Sequence, residues 1–487
     1  MTDETAARVK TGVPGLDQVL RGGLPRNHLY LVNGPSGAGK TTLSLQFLMQ
    51  GAREGEKALY IGTSETEAEI RLIAKSHDWD LSRVELRHHS GPGPHVTGAE
   101  QTMLHPAEVE LPRTMEQLIT LVRELRPKRL VIDSLSEIRM LSREENWFRE
   151  QIKTLQRHFA GGGCTVLVTD IFFDEQSPLR SGVHGIIELD QHGSVYGPDR
   201  RRIRVVKVRG TAHGTGYHDV IIEKGGLKVF PRLVAAEYRR QTQVGVLSSG
   251  LPELDSLLGG GLDVGTATLF LGPSGSGKST LATQFVVAAA RRGERSAMYI
   301  FDERLQTLFR RAAGLGLELE EYVKSGVVTV RQIDPVELTP GQFSQAVVDS
   351  VEGGAKMVVL DSLNGYAYAM PEERLLGLHL HELLSYLSQQ GVTSLQVMAQ
   401  HGGREPRGTA FDVSYIADNV IVLRPFEYAG AVRKAIAVHK RRGGSHETTI
   451  RELDFSHGRV LVGKVLTEFA GVTMGQLQYL GALLERP

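Results

Sequence analysis

The sequence predicts an α/β protein of two tandem domains, each a mostly parallel sheet with helices on both faces. The length, an internal repeat and the order of strands and helices support this prediction. The chain has 487 residues, which is enough for roughly two to four domains of about 150 residues each. Its 41% hydrophobic and 23% charged residues are typical of a globular protein.

The repeat begins near the start of the chain. Residues 12–24 read GVPGLDQVLRGGL and residues 250–262 read GLPELDSLLGGGL, with eight of thirteen positions identical. The same offset of 238 residues aligns GPSGAGKTTL with GPSGSGKSTL. A period this long is a whole domain, since solenoid repeats span about 20 to 50 residues. The predicted domains are residues 1–238 and residues 239–487.

Each copy shows the same order of elements. The apolar runs HLYLVNG and ATLFLG precede glycine-rich turns, and segments of helical character follow them. The next predicted strands are KALYIGT and SAMYIFD, and after a further helix come RLVIDS and MVVLDS. Strands that alternate with helices form a parallel sheet, and both faces of such a sheet need cover.

The charge balance, the cysteine count and the hydropathy argue against a nucleic-acid-binding, a disulfide-bonded or a membrane-spanning protein. Lys plus Arg and Asp plus Glu both number 56, so the net charge is zero and gives no support to DNA or RNA as a partner. The single cysteine, Cys164, cannot form an internal disulfide, so we expect a cytoplasmic protein. The sequence has no run of about 18 apolar residues, and we expect no membrane-spanning segment.

Both glycine-rich turns match the P-loop pattern G-x-x-x-x-G-K-[ST], between a predicted strand and a predicted helix. The backbone N–H groups of such a loop bind phosphates, its lysine reaches the terminal phosphates, and the hydroxyl after the lysine can bind Mg²⁺. The predicted nucleotide-binding residues are Gly34, Pro35, Ser36, Gly37, Ala38, Gly39, Lys40, Thr41 and Thr42 in the first copy, and Gly272, Pro273, Ser274, Gly275, Ser276, Gly277, Lys278, Ser279 and Thr280 in the second.

Carboxylates follow two predicted strands in each copy. Asp133 and Asp361 end apolar strands, and an Asp at the end of a parallel strand beside the P-loop strand can hold Mg²⁺ together with Thr41 or Ser279. The strand after each P-loop helix ends in SE or DE, where a carboxylate can activate the attacking water. The alternative for these strand ends is a solvated cap of the next helix. The predicted proton acceptors are Glu65, Asp302 and Glu303.

A basic motif stands near the end of each copy, KVRG followed by His213 and KRRG followed by His446. Residues i and i+2 of a strand share a face, so each Lys and Arg pair projects two cations in one direction. Such a pair can neutralise a γ-phosphate bound to a neighbouring subunit. The alternative is a solvated basic strand. The predicted trans-acting residues are Lys207 and Arg209 in the first copy, and Lys440 and Arg442 in the second.

Together these motifs resemble the KaiC family of RecA-like ATPases. The resemblance rests on the opening G-x-P-x-L-D-x-x-L-x-G-G, the P-loops, the IDS and LDS strand ends and K-x-R-G-x-x-H, each in both copies. It implies two RecA-like P-loop NTPase domains, with ATP and Mg²⁺ as cofactors and ATP bound between the subunits of a double-ring homohexamer. It also implies ATP hydrolysis and, in the second domain, transfer of phosphate to a serine or threonine of the chain itself.

The sequence departs from the family pattern at two places. The family usually has two consecutive glutamates after the second strand, the first acting as base, whereas here Ser64 and Asp302 hold that position. The first domain therefore lacks the expected base at Ser64. Where clock members carry a neighbouring Ser-Thr acceptor pair, FDVSYIADNV has Ser414 followed by Tyr415, so the resemblance implies Ser414 as the phosphorylation acceptor.

Three functions remain open from the sequence. The first is a KaiC-like, Mg²⁺-dependent ATPase with autokinase activity, which accounts for all the motifs. The second is a RecA/RadA-like ATP-dependent DNA-binding protein, although the chain has zero net charge and no Cys₄ zinc element. The third is a signalling scaffold that binds ATP and turns over little, and Ser64 favours it. We expect a signalling protein as a partner, of a kind that the sequence does not identify.

Overall fold

The computed structural model divides into two compact units, Met1–Arg232 and Leu233–Pro487. Each unit contains one nine-stranded, mostly parallel sheet, so the predicted fold class is confirmed. None of the helices that the structure describes is both long and apolar enough to cross a bilayer. The structure describes residues 7–88, 106–140, 148, 150–155, 157, 163–171, 178–193, 197–240, 244–334, 338–369, 375–400, 415–470 and 478–479.

From its third to its eighth strand the first unit alternates strands and helices, and it then continues with strands alone. Its elements in chain order are β1 (Arg8–Val9), α1 (Leu16–Val19), β2 (Leu24–Pro25), β3 (Leu29–Asn33), α2 (Lys40–Arg53), β4 (Ala58–Gly62), α3 (Glu67–Ser76), β5 (Val84–His88), α4 (Pro106–Leu125), β6 (Arg129–Asp133), α5 (Leu135–Met140), β7 (Thr165–Asp170), α6 (Pro178–Gly182), β8 (Gly185–His192), β9 (Arg200–Val208), β10 (His218–Glu223) and β11 (Gly226–Phe230).

The first sheet has the strand order β5-β4-β6-β7-β3-β8-β9-β10-β11. The strands from β5 to β8 are parallel, and β9, β10 and β11 extend the sheet in antiparallel fashion. One expectation is therefore wrong: β6, which ends in Asp133, is not beside the P-loop strand β3, because β7 lies between them. The carboxyl ends of all these parallel strands still meet at one edge of the sheet.

Helices cover both faces of this sheet, as alternate residues of one strand show. Tyr30 of β3 packs into a core with Phe47 of α2, whereas the next residue, Leu31, packs on the other face with Leu118 of α4. Successive side chains of a strand point to opposite faces, so β3 is buried on both sides. The segment MEQLITLVREL is part of α4, and its apolar residues face this second core.

The second unit repeats this plan. Its sheet order is β16-β15-β17-β18-β14-β19-β20-β21-β22, with β14 as the P-loop strand and β20 to β22 as the antiparallel extension. Its elements are a 3₁₀ helix (Ala235–Tyr238), β12 (Val246–Leu247), α7 (Pro252–Leu257), β13 (Leu262–Asp263), β14 (Ala267–Gly272), α8 (Lys278–Arg291), β15 (Ser296–Ile300), α9 (Leu305–Ala313), α10 (Leu319–Lys324), β16 (Val328–Gln332), α11 (Pro340–Glu352), β17 (Met357–Asp361), α12 (Leu363–Ala369), α13 (Leu376–Gln389), β18 (Thr393–Ala399), β19 (Asn419–Tyr428), β20 (Ala431–Arg441), β21 (Arg451–Asp454), a 3₁₀ helix (Ser456–Gly458), β22 (Leu461–Val465), β23 (Phe469–Ala470) and β24 (Gln478–Tyr479).

Candidate nucleotide-binding sites

The first P-loop lies between β3 and α2. Residues 34–39 form the loop, and Lys40, Thr41 and Thr42 are the first residues of α2. Gly39 has a φ of 104°, a left-handed conformation that favours glycine and turns the chain into the helix. The first turn of α2 therefore directs backbone N–H groups toward the loop, which is the arrangement that binds phosphate.

Lys40 lies folded over this loop. Its Nζ donates to the carbonyl oxygens of Gly34 and Pro35, at 2.8 and 2.9 Å. Burial lowers the pKa of Lys40, and the negative charges of Asp133, Asp170 and Glu65 oppose that shift. An ammonium group held only by neutral carbonyls at these distances can exchange them for phosphate oxygens, which bind it more strongly.

Asp133 is 3% exposed and fully engaged by hydroxyl groups. Its carboxylate accepts from Thr41 Oγ1 (2.7 Å), Tyr60 OH (3.0 Å) and Thr169 Oγ1 (2.5 Å). The structure thus brings the predicted metal residues Thr41 and Asp133 together across the intervening strand. A hydroxyl oxygen and a carboxylate are the oxygen ligands that Mg²⁺ prefers, so this donor set fits the ion.

Glu65, the predicted proton acceptor of the first domain, follows β4. It accepts a hydrogen bond from Ser64 Oγ at 2.8 Å, and its charge acts on Lys40 at the P-loop. The alternative function, capping of the next helix, belongs to other residues: Thr66 and Glu69 form a reciprocal capping box at the start of α3. Glu65 therefore does not cap α3, and its charge reaches Lys40 of the P-loop.

The second P-loop repeats this arrangement between β14 and α8, which begins at Lys278. Lys278 Nζ donates to the Pro273 carbonyl at 2.7 Å. Burial lowers the pKa of Lys278 to about 8, against the opposing charge of Asp361. Gly277 also has a φ of 104°, and a Cβ there would lie 2.3 Å from the ring of Phe455. Only glycine satisfies both the backbone angle and the close approach of that ring.

Ser279 and Asp361 form the second hydroxyl and carboxylate pair. Ser279 Oγ donates to Asp361 Oδ1 at 3.0 Å. The pKa of Asp361 is raised to about 6, chiefly by burial and also by the charges of Glu303 and Asp302, while Ser279 and Arg311 oppose the shift. Three carboxylates thus converge near the second P-loop, where they favour a cation such as Mg²⁺.

Asp302 and Glu303 line the cleft beside this P-loop. The cleft has a volume of about 550 Å³, which is in the range of ligand sites. Ser362 Oγ donates to Asp302 Oδ2 at 2.5 Å. Arg311 donates to both oxygens of Glu303, from Nε at 3.3 Å and from Nη2 at 2.7 Å. Neither acid caps α9, whose N-cap is Arg304. The cleft is lined by Ser274, Gly275, Gly277, Lys278, Ser279, Thr280, Asp302, Glu303, Arg311, Leu315, Asp361, Ser362, Val397, Ala399, Lys434 and Phe455.

The basic pair of the first unit lies at the end of β9, far along the sheet from its own P-loop. Lys207 Nζ and Arg209 Nη2 donate to backbone carbonyls of α6. Arg209 N donates to the His184 carbonyl, and His184 N donates to that of Leu29, so Arg209 is level with the first residue of β3. The P-loop follows the other end of β3 and begins at Gly34, five residues after Leu29. Five residues of a strand span about 16 Å, so about this distance separates Arg209 from its own P-loop along the strand.

The second unit repeats this placement. Lys440 Nζ donates to the Ala417 carbonyl at 2.8 Å, and Arg442 Nη2 donates to that of Tyr415 at 2.7 Å. Backbone hydrogen bonds place Arg442 level with Ala267, the first residue of β14. In both units the cations therefore lie toward the edge of the sheet opposite to their own phosphate site.

The sequence did not predict the residues that hold the acids of the second site, Ser362 and Arg311. Ser362 belongs to the strand-end motif that recurs in both copies, so the repeat carried a signal for it. Arg311 has Ile73 at the corresponding position of the first copy, so the repeat carried no signal there. The predicted phosphorylation acceptor Ser414 lies outside the described residues.

Each unit thus joins a P-loop, a hydroxyl and a carboxylate at the carboxyl edge of a mostly parallel sheet, which defines the protein as a tandem P-loop nucleotide-binding protein of the α/β class. A family model described as "ATPase: KaiC" matches residues 9–234 and 247–465. The chain belongs to the KaiC family of ATPases, and the resemblance found in the sequence is confirmed.

Curated relatives match nearly the whole chain. The "Circadian clock protein KaiC3" of Synechocystis sp. is 27% identical over 97% of this chain and 95% of its own length. The "Circadian clock oscillator protein KaiC" of Parathermosynechococcus lividus is 27% identical over 93% and 85%, respectively. The protein of that name from Synechococcus elongatus is also 27% identical, over 93% and 88%.

Proposed function

We propose that the protein is a Mg²⁺-dependent ATP hydrolase that assembles into a double-ring homohexamer, with ATP between neighbouring subunits. The observation that carries the proposal is the repeated pair of P-loop hydroxyl and strand-end carboxylate, Thr41 with Asp133 and Ser279 with Asp361. When bound, Mg²⁺ would neutralise charge on the β- and γ-phosphates. The two hydroxyls would ligate it, and the two carboxylates would orient those hydroxyls or ligating waters.

The other residues would act on the phosphates and on the attacking water. The N–H groups of each P-loop and the ammonium of Lys40 or Lys278 would bind the terminal phosphates. In the second domain Asp302, held through one oxygen by Ser362, would accept the proton of the water. In the first domain Glu65 is the candidate acceptor, because Ser64 has no carboxylate.

The basic pairs would act on the nucleotide of a neighbouring subunit. Arg209 is level with the start of β3 and about 16 Å along the strand from its own P-loop, more than an arginine side chain spans. Arg442 has the equivalent place in the second unit. A ring that brings this edge of one subunit to the P-loop edge of the next would place Lys207, Arg209, Lys440 and Arg442 as γ-phosphate partners.

The direct test uses γ-labelled ATP with and without Mg²⁺. We expect Mg²⁺-dependent phosphate release that falls strongly in the Asp133→Asn, Asp361→Asn double variant, since both carboxylates that support the metal would be lost. Glu320→Gln is the matched control, because this glutamate is exposed and paired with Lys324. Equal release by the double variant and the unmutated protein would contradict the proposed hydrolysis.

We also propose that the second domain phosphorylates Ser414. The support is the resemblance of DVSYIAD to the acceptor segment and the bond from Arg442 to the carbonyl of Tyr415, the next residue. The serine oxygen would replace water as the nucleophile at the γ-phosphorus, ADP would leave, and the serine proton would pass to Asp302. Mass spectrometry after incubation with ATP should find phosphate on Ser414 in the unmutated protein and none in Lys278→Ala. No phosphate on Ser414, or phosphate there in Lys278→Ala, would remove the autokinase proposal.

Two other functions give different results in the same assays. A scaffold would change its oligomer size with ATP without releasing phosphate. A RecA-like DNA-binding protein would bind single-stranded DNA with an affinity that falls with salt. We place the protein in the cytoplasm, with a signalling protein as the expected partner of the ring.

A further inference from the structure

Arg311 links three elements beside the second P-loop. It lies on α9 and donates from Nε and Nη2 to the two carboxylate oxygens of Glu303, at 3.3 and 2.7 Å. It also donates from Nη1 to Oγ1 of Thr280, at 3.1 Å, in the first turn of the P-loop helix. The side chains of Arg311 and Glu303 are about one-quarter exposed, so the pair lies in the wall of the cleft.

The first unit has no such link at the corresponding positions. The offset of 238 residues matches Glu303 with Glu65 and Arg311 with Ile73, whose apolar side chain packs against the core. Glu65 accepts instead from the neutral hydroxyl of Ser64, at 2.8 Å. The arginine is therefore a difference between two otherwise parallel sites.

Glu303 and Asp302 differ in how their carboxylate oxygens are held. The two N–H bonds from Arg311 engage both oxygens of Glu303 and hold its side chain in the cleft wall, so these oxygens are not free to turn toward an attacking water. Asp302, in contrast, accepts from Ser362 at Oδ2 and is exposed to the cleft. Gly365 lets the backbone approach Asp302, because a Cβ there would lie 2.6 Å from Asp302 Oδ1.

We infer that Arg311 is a positioning residue of the second domain: it withdraws Glu303 from proton transfer and leaves Asp302 as the proton acceptor. The inference rests on the proposed ATPase function. In the step that it concerns, the water oxygen bonds to the γ-phosphorus as the bond from that phosphorus to the ADP oxygen breaks. The water proton passes to Asp302 and later to solvent, and the products are ADP and phosphate.

The test is a double-mutant cycle between Asp302 and Arg311, in full-length protein that carries Glu65→Gln so that second-domain turnover dominates. With Arg311 present, we expect Asp302→Asn to lower phosphate release by about 10²-fold. In an Arg311→Met background the same change should cost less than about 10-fold, because the released Glu303 can accept the proton. Adding Glu303→Gln to that background should restore the full loss.

The control is Arg310→Met, which removes an exposed arginine from the same helix and should leave the cost of Asp302→Asn unchanged. If Arg311→Met fails to fold, Arg311→Lys serves the same cycle, since lysine keeps the charge but not the paired geometry. Equal costs of Asp302→Asn with and without Arg311 would overturn the inference and leave the ATPase standing. No phosphate release from unmutated protein that binds ATP would overturn both.

Discussion

Asp133 and Asp361 hold corresponding places but have different surroundings. Asp133 is buried and accepts from three hydroxyl groups, whereas Asp361 accepts from Ser279 and stands near two further carboxylates. Burial raises the pKa of Asp361 to about 6, so its charge is poorly stabilised by the protein alone. A divalent cation would supply the missing positive charge, and we expect the second site to depend more strongly on Mg²⁺ than the first.

The buried residue His218 should make the free energy of unfolding of the first domain depend on pH. His218 is 3% exposed, and its Nδ1 accepts from the backbone N–H of Arg232 at 2.8 Å, which requires an unprotonated Nδ1. Burial lowers the pKa of His218 to about 4. A histidine with a lowered pKa contributes stability above its unfolded pKa of about 6.5, and that stability is lost as the pH falls from about 6.5 to 4.

We therefore predict that the first domain loses about 2 kcal/mol of unfolding free energy between pH 7 and pH 5 through His218. Urea unfolding followed by tryptophan fluorescence measures this, because both tryptophans, Trp79 and Trp147, belong to the first domain. His218→Asn keeps an acceptor without the titration and should remove about 2 kcal/mol of the dependence, while His184, whose pKa burial also lowers to about 4, keeps its own share. His192→Gln, at an exposed position, should not, and an unchanged slope in His218→Asn would contradict the assignment.

Arg129 joins several elements of the first unit at the start of β6. Its guanidinium is fully buried and donates to Glu54 at 2.6 Å, to Glu56 at 2.5 Å and to the carbonyls of Lys10 and Phe47. These bonds tie the end of α2 to the sheet and to the first strand. Removing one partner of a buried ion pair leaves the others uncompensated, and this commonly costs about 3 kcal/mol or more.

Two arginines bind the same glutamate, and this gives a matched comparison. Arg129→Met should destabilise the first domain by about 3 kcal/mol. Arg26→Met should cost less than about 1 kcal/mol, because the side chain of Arg26 is 40% exposed where it pairs with Glu56 at 2.9 Å. Tryptophan-detected urea unfolding distinguishes the two variants. Similar losses from both would show that burial of Arg129 does not decide its contribution.

The repeat made much of this architecture predictable, because a motif that occurs at the same place in both copies rarely arises by chance. The P-loops, the hydroxyl and carboxylate pairs and the i, i+2 placement of Lys207 with Arg209 could all be read from local patterns. The insertion of β7 beside β3 could not, since strand order depends on tertiary packing rather than on local sequence. Arg311 was missed for a related reason: its partner Glu303 lies on a different element, eight residues away, and the first copy has no equivalent.

The two halves of the chain share one plan but carry different acids, and we expect unequal turnover. Ser64 has no carboxylate, whereas Asp302 faces the second cleft. Loss of a general base commonly lowers a rate by about 10²- to 10⁴-fold. We therefore expect most of the phosphate release to come from the second domain.

We predict that Asp302→Asn lowers total phosphate release much more than Ser64→Ala does. Release of labelled phosphate from ATP measures this, with Glu320→Gln as an exposed acidic control. Large and equal losses from both variants would reverse the assignment. So would turnover that persists only when the second P-loop is disabled by Lys278→Ala.

Assembly of the chain on nucleotide is the property on which the proposed function depends. Lys40 and Lys278 hold the same place in the two P-loops, and Arg209 and Arg442 are level with the opposite ends of the P-loop strands. We expect ATP and Mg²⁺ to drive the chain to about six times its mass of 53.4 kDa, measured by light scattering after size exclusion. The Lys40→Ala, Lys278→Ala variant should stay smaller, and the exposed control Lys324→Ala should assemble normally. Nucleotide-dependent hexamers of the double variant would contradict the proposal.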